Sequence, residues 1–331
     1  MNWKPALYEY VRAANERESD FAAFVRQERD VSPEERLRLR RTKESLDERG
    51  AIPLGSETKA TIRQVRENGR DVTADLHLRK TVQYRTNGVE HVEERVERER
   101  VALQETPAGE WRVVRAEPIV QERIGGGAPF GTLWDAEAPR PRTVPYLNER
   151  VLVRPHSEEE KRAGTYDREA ARAYAERHWN DPNPQYIHFD VDCTNYVSQC
   201  LYAGGAPMNY TGVRESGWWY KGRSGGRELW SFSWSVAHAL QLYLSQPRRN
   251  GLAAERVSSP RELTVGDVVC YDFDGDGRFE HNAIVTGADG AGMPLVNAHT
   301  VNSRSRYWDY KDSYAWTYRT TYRFFRIRDA F

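Results

Sequence analysis

Apolar residues in the first fifty positions recur at helical spacing: Leu7, Val11 and Ala14, then Phe21, Phe24 and Val25, and later Leu37, Leu39 and Leu46. Two or three helices are predicted, one of them capped by Ser32 with Pro33 at its first helical position. From about Ser56 the period becomes two. Val72, Ala74, Leu76 and Leu78 alternate with polar residues, and Val82 and Tyr84 continue the series, as strands with one buried face require. Asn87-Gly88 is the dipeptide of a tight type I′ hairpin, and Gly109 before Trp111 and Val113 marks another strand pair.

Gly125-Gly126-Gly127 and the prolines 139, 141 and 145 break both periods, so residues 125–160 read as a linker between an N-terminal domain, 1–124, and a C-terminal domain, 161–331. The second half restarts with helices. Asp167 can cap a helix carrying Ala170, Ala171, Tyr174 and Ala175, a second should begin at Cys193, and a third should run from Ser233 to Leu244. Strand patterns follow at Val265–Tyr271, His281–Thr286, Pro294–Thr300 and Tyr322–Ile327, giving an α+β fold class. The smaller first domain, helices before long antiparallel strands, resembles in architecture alone the curved sheets of cystatin or nuclear-transport-factor-like proteins, which says nothing of its function.

Composition narrows the function classes. The 331 residues are 30% charged, 39% apolar and 11% aromatic, which fits packed cores in a soluble chain. Lys plus Arg and Asp plus Glu each number 49, so no global field draws nucleic acid or an anionic membrane. Arg12, Glu16, Arg17 and Glu18 interrupt any secretory apolar run, and no stretch is long enough to span a bilayer; a cytoplasmic location is expected, with cell-wall or spore association as the alternative. Of the three cysteines, Cys193 and Cys200 lie seven apart on one predicted helix, about 10 Å between Cα atoms, and cannot pair. Cys200 and Cys270 fall inside apolar runs and read as packing residues.

Cys193 is the candidate nucleophile. Asp192 as N-cap would place its thiol at the first turn, where unpaired N–H groups and the helix dipole favour thiolate and can hold an oxyanion. His281 opens a strand after an acidic glycine-rich loop and is the candidate base; Asn297 or His299, which share a face of the next strand, could orient it. The order Cys, His, Asn is that of papain-like hydrolases. Asp272, Asp274, Asp276 and Gly277 match the start of a calcium loop with Glu280 at the ninth position, but Ala283 stands where the bidentate Glu belongs. Trp218 and Trp219 are read either as lining a substrate groove or as core. Ser224, in Gly222-Arg223-Ser224-Gly225-Gly226, imitates a nucleophile elbow without the preceding buried strand, and a zinc site from Cys193, His281 and His299 lacks short ligand spacing.

The run Asp192 to Leu201, the strand entry Val265 to Val269, the block Asp272 to His281, Asn297-Ala298-His299-Thr300 and Tyr307 to Tyr314 together resemble the putative amidase domain family of Gram-positive bacteria, over about residues 161–331. That family looks like a relative of the NlpC and CHAP branches of the papain-like fold. The resemblance implies Cys193 as nucleophile, His281 as base, and a third residue at Asn297, with His299 two positions on. It implies cleavage of amide bonds in peptidoglycan or a related peptide, with no required cofactor. A peptide or peptidoglycan fragment is then the partner. A catalytically silent binding module that uses the Trp218 region is the alternative.

Overall fold

The computed structural model describes residues 2–27, 31–123, 164–224, 227–248 and 251–331. The linker read at 125–160 lies outside them. Contacts divide the chain into two units: Met1–Val120 with Asp289–Gly292 and Ser305–Trp316, and Gln121–Ala288 with Met293–Arg304 and Thr317–Phe331.

In the first unit, helices α1 (Lys4–Ser19), α2 (Phe21–Gln27) and α3 (Pro33–Glu48) precede strands β1 (Ile52–Asn68), β2 (Asp71–Thr86), β3 (Val89–Glu105) and β4 (Trp111–Pro118). Ser32 starts α3 as expected, its hydroxyl accepting the Glu35 N–H at 3.1 Å. The β2–β3 turn is left-handed at both centres, with Asn87 at φ 50° and Gly88 at φ 81°, the geometry that makes this dipeptide a hairpin signal. Val72, Ala74, Leu76 and Leu78 form one buried face of β2 and meet Val101, Leu103, Trp3 and Leu7. β1 begins earlier than its pattern suggested because most of its residues are exposed, so no alternation announces it.

Charge is also buried in this unit. Glu18 pairs with Arg38, with Lys80 at 2.9 Å and with Arg95 at 3.6 Å, while Arg95 meets Glu93 and Asp312 at 2.6 Å and Glu97 at 2.8 Å. The three cations outweigh the cost of burial and hold Glu18 well below the usual carboxylate range.

The second unit holds α4 (Arg168–His178), α5 (Cys193–Ala203), a hairpin β5 (Tyr220–Ser224) and β6 (Arg227–Trp230), α6 (Phe232–Ser235), α7 (Ala237–Leu244) and strands β7 (Ala254–Val257), β8 (Val268–Asp272), β9 (His281–Ala288), β10 (Pro294–Ala298) and β12 (Thr321–Ile327). The residues of β11 (Ser303–Tyr307) are shared between the units. Within the second unit the strands run in the order β10-β9-β8-β12-β7, every pair antiparallel. The fold is α+β.

Asp167 caps α4 through Ala170 N–H at 2.9 Å, and Gly204 ends α5 where a Cβ would lie 2.5 Å from the Tyr166 ring. The helix predicted over 233–244 is two helices, broken at Val236, whose φ of −117° and ψ of 126° are extended. The strand predicted through Thr300 stops at Ala298, since Thr300 takes φ 83°. Ser224 ends a hairpin strand rather than a strand-to-helix turn, which removes the geometry of an elbow. No helix among the described residues is long and apolar enough to cross a membrane.

Candidate active site

α5 is buried from Cys193 to Leu201, on all sides rather than on the single face its apolar residues suggested. Burial all round is tolerable because the polar residues find partners inside. Asn195 donates to Ile187 O and Asp192 Oδ1, both at 2.8 Å, and accepts from Trp234 Nε1 at 2.9 Å. Ser198 Oγ accepts from Trp218 Nε1, and Gln199 Oε1 accepts from the Tyr174 hydroxyl.

Asp192 stands at the N-cap position but makes no capping bond to the helix. One oxygen accepts from Phe189 N–H at 3.0 Å and from Asn195, while the other faces His299 Nδ1 at 2.8 Å and His188 Nδ1 at 3.4 Å. Burial works to raise this carboxyl, yet the two imidazoles outweigh it and hold it at about 2. The first-turn N–H groups of α5 are therefore not taken up by this side chain.

The Cys193 thiol lies 3.7 Å from Thr194 Oγ1 and 3.9 Å from the Glu280 carbonyl oxygen, and it accepts from Asn282 N–H. Those two backbone groups flank His281. The register of β10 on β9 stops at Ile284, so the thiol meets the start of β9 where no β10 partner continues the ladder. Thr300 supplies a further hydroxyl to the sulfur from a left-handed residue whose Oγ1 also accepts from Asp192 N–H at 3.1 Å. Burial pushes the thiol up from its ordinary value, the donors offsetting only part of it, so desolvation overrides the lowering expected from the helix start.

His281 is buried, its ring 5.4 Å from Tyr271 and 6.1 Å from Phe273 between centroids. Along β9 it alternates with Asn282, whose amide donates to Thr194 Oγ1 at 3.0 Å beside Cys193. Asn297 donates to Glu176 Oε1 at 3.1 Å and accepts from Thr286 Oγ1 at 2.9 Å. His299 stacks on Tyr196 at 4.0 Å and places Nε2 2.7 Å from His178 O. Of the four sequence candidates, Cys193 is thus set against the backbone of His281 and is linked through Asp192 to His299, while Asn297 is held toward α4.

In the acidic loop, oxygens of Asp272, Asp276 and Glu280 lie within 4.8 Å of one another; Asp274 is not part of that set. Asp272 already accepts Gly275 N–H at 2.7 Å and Gly277 N–H at 2.9 Å. Burial, with Asp272 and Asp274 adding repulsion, raises Glu280 to about 7. Trp218 and Trp219 are core residues, with Trp218 packed 4.8 Å from Trp234 and the Trp219 indole donating to Ser216 O. An open groove of about 970 Å³ is lined instead by residues before them, Ser216 and Gly217, and by Leu242 and Tyr243 of α7, with Arg214 and Arg248 beside it. Nothing in the sequence marks Thr300 as a site residue, and for His188 the only local signal is its place four residues before Asp192.

Residues 165–325 match the family model described as a putative amidase domain. The chain is 54% identical over 168 residues to the uncharacterized protein YhbB of Bacillus subtilis (strain 168), covering 51% of this chain and 52% of that protein. It is 33% identical over 147 residues to the uncharacterized protein YjcM of the same organism, covering 41% of this chain and 31% of that protein. The chain therefore spans about half the length of the first relative and less of the second. No solved structure matches it.

Proposed function

We propose that the second unit is a thiol-dependent amide hydrolase with Cys193 as nucleophile and His281 as base, of the papain-like type to which the NlpC and CHAP domains belong. The observation that carries this reading is the seat of the Cys193 sulfur at the start of α5, against the backbone on both sides of His281. The match to an amidase domain supports the bond class. In this scheme His281 takes the thiol proton and sulfur attacks the amide carbonyl. The oxyanion is held by first-turn N–H groups of α5, beginning with that of Cys193, which the diverted Asp192 leaves available. Protonated His281 then gives its proton to the departing amine, and water hydrolyses the thioester to release acid and free thiol.

Peptide amides of peptidoglycan stems are the proposed substrate class, and a cytoplasmic location or cell-wall association is proposed on the same footing. No cofactor enters the chemistry; calcium held by Asp272, Asp276 and Glu280 would shape only the loop before His281. The burial of the thiol and its raised pKa favour a second reading, a silent binding module on the same fold. Incubation of the full chain with peptidoglycan fragments and simple peptides, read by mass spectrometry beside Cys193→Ala, separates them. Hydrolysis by the native chain alone supports the enzyme; binding without hydrolysis by either supports the module.

A further inference from the structure

We infer that His188, Asp192 and His299 form a binding site for a divalent transition metal of the zinc class, immediately before the proposed nucleophile. Their ligand atoms, one from each residue, lie within 4.8 Å of one another. Asp192 Oδ2 is 2.8 Å from His299 Nδ1 and 3.4 Å from His188 Nδ1. Bonds of about 2.0–2.1 Å to nitrogen and oxygen at tetrahedral angles separate neighbouring ligand atoms by about 3.3 Å. The longer contact already has that spacing, and the shorter needs to open by only about half an ångström to reach it.

The surroundings have the chemistry of a metal site. His299 Nε2 donates to the His178 carbonyl at 2.7 Å, which leaves Nδ1 toward Asp192; without an ion Nδ1 donates to that carboxylate at 2.8 Å, a proton that a bound metal would displace. A backbone carbonyl on the far ring nitrogen is how metal-binding histidines are commonly oriented. The ring is held further by Tyr196, stacked at 4.0 Å, and Asp192 is fixed through its other oxygen by Phe189 N–H and Asn195. His188 completes the set. Its Nδ1 is sheltered from solvent and meets only Asp192 Oδ2, at 3.4 Å and too poorly aligned for a good hydrogen bond, while the side chain as a whole is 29% exposed, giving an ion a way in. Two imidazoles and one carboxylate leave a fourth tetrahedral position for water. Borderline cations such as zinc suit these donors, whereas calcium prefers the oxygen-only set of Asp272, Asp276 and Glu280.

The inference does not rest on the hydrolase reading, and its test reads no activity. Chelator-treated full chain is titrated with Zn(II) by calorimetry and with Co(II) by visible absorption. One equivalent should bind, with the absorption of a tetrahedral cobalt centre, and His188→Ala should weaken binding at least about tenfold. Because His188 is partly exposed, its loss should leave the fold intact by circular dichroism. Cys193→Ser and Asp276→Asn should bind as the native chain does. Absence of one-equivalent binding, binding that survives His188→Ala, or binding lost with Cys193→Ser or Asp276→Asn would each overturn the assignment.

Discussion

Cys193 is solvated by protein rather than water, and its reactivity follows from that. Burial raises the thiol pKa, so the proton stays on sulfur to higher pH than in a free cysteine. Alkylation of Cys193 by iodoacetamide, followed by peptide mapping, should therefore rise with pH and reach half its maximum above the ordinary thiol value. The linked stability has a definite sign: the folded state holds this proton more tightly, so the term is lost as pH climbs past the unfolded thiol pKa toward the folded one. Residue type makes Cys193 and His281 candidates, since few side chains serve as nucleophile and base. Their setting is not legible. Thr300 reaches the sulfur from 107 positions along the chain, and nothing local marks His299 as the partner of Asp192.

At the scale of elements, the loop between β8 and β9 carries its own pH dependence. Glu280, raised to about 7, is protonated in the folded state at pH values where the unfolded carboxyl has ionised. Its contribution is thus full below the unfolded value and lost as pH rises to about 7. Glu280→Gln, which can still accept the Phe273 N–H, should flatten that slope and unfold later than the native chain above neutral pH in urea melts. Elements with one buried face were readable. β2 announces itself through Val72 to Leu78, α3 through Ser32 and Pro33, and the hairpin through Asn87-Gly88. Those with two similar faces were not: β1 is exposed throughout most of its length, and α5 is buried from Cys193 to Leu201, its polar residues hidden by specific bonds rather than turned to solvent. The break at Val236 also lacks a sequence mark, because Val is neither glycine nor proline.

Across the whole molecule, the two units are stabilised by different means. The second is built on a large aromatic and aliphatic core around Tyr196, Trp218 and Trp234, whereas the first encloses ion pairs beside a smaller apolar core. Glu18→Gln would leave Arg38, Lys80 and Arg95 without a shared counter-charge in a buried setting. Loss of one partner in such a network costs about 3–5 kcal/mol, a shift measurable by urea denaturation. Net charge concealed this feature, since 49 positive and 49 negative residues do not say which are buried. The grouping of residues 305–316 with the first unit was equally silent, as this segment has neither helical nor strand periodicity over its length.

The most direct test of the central claim is rapid-quench mass spectrometry during turnover of a stem-peptide amide, with the modified residue located by fragmentation. The account predicts a transient acyl adduct on Cys193, absent in Cys193→Ala together with all hydrolysis. Hydrolysis that continues undiminished in Cys193→Ala would contradict it.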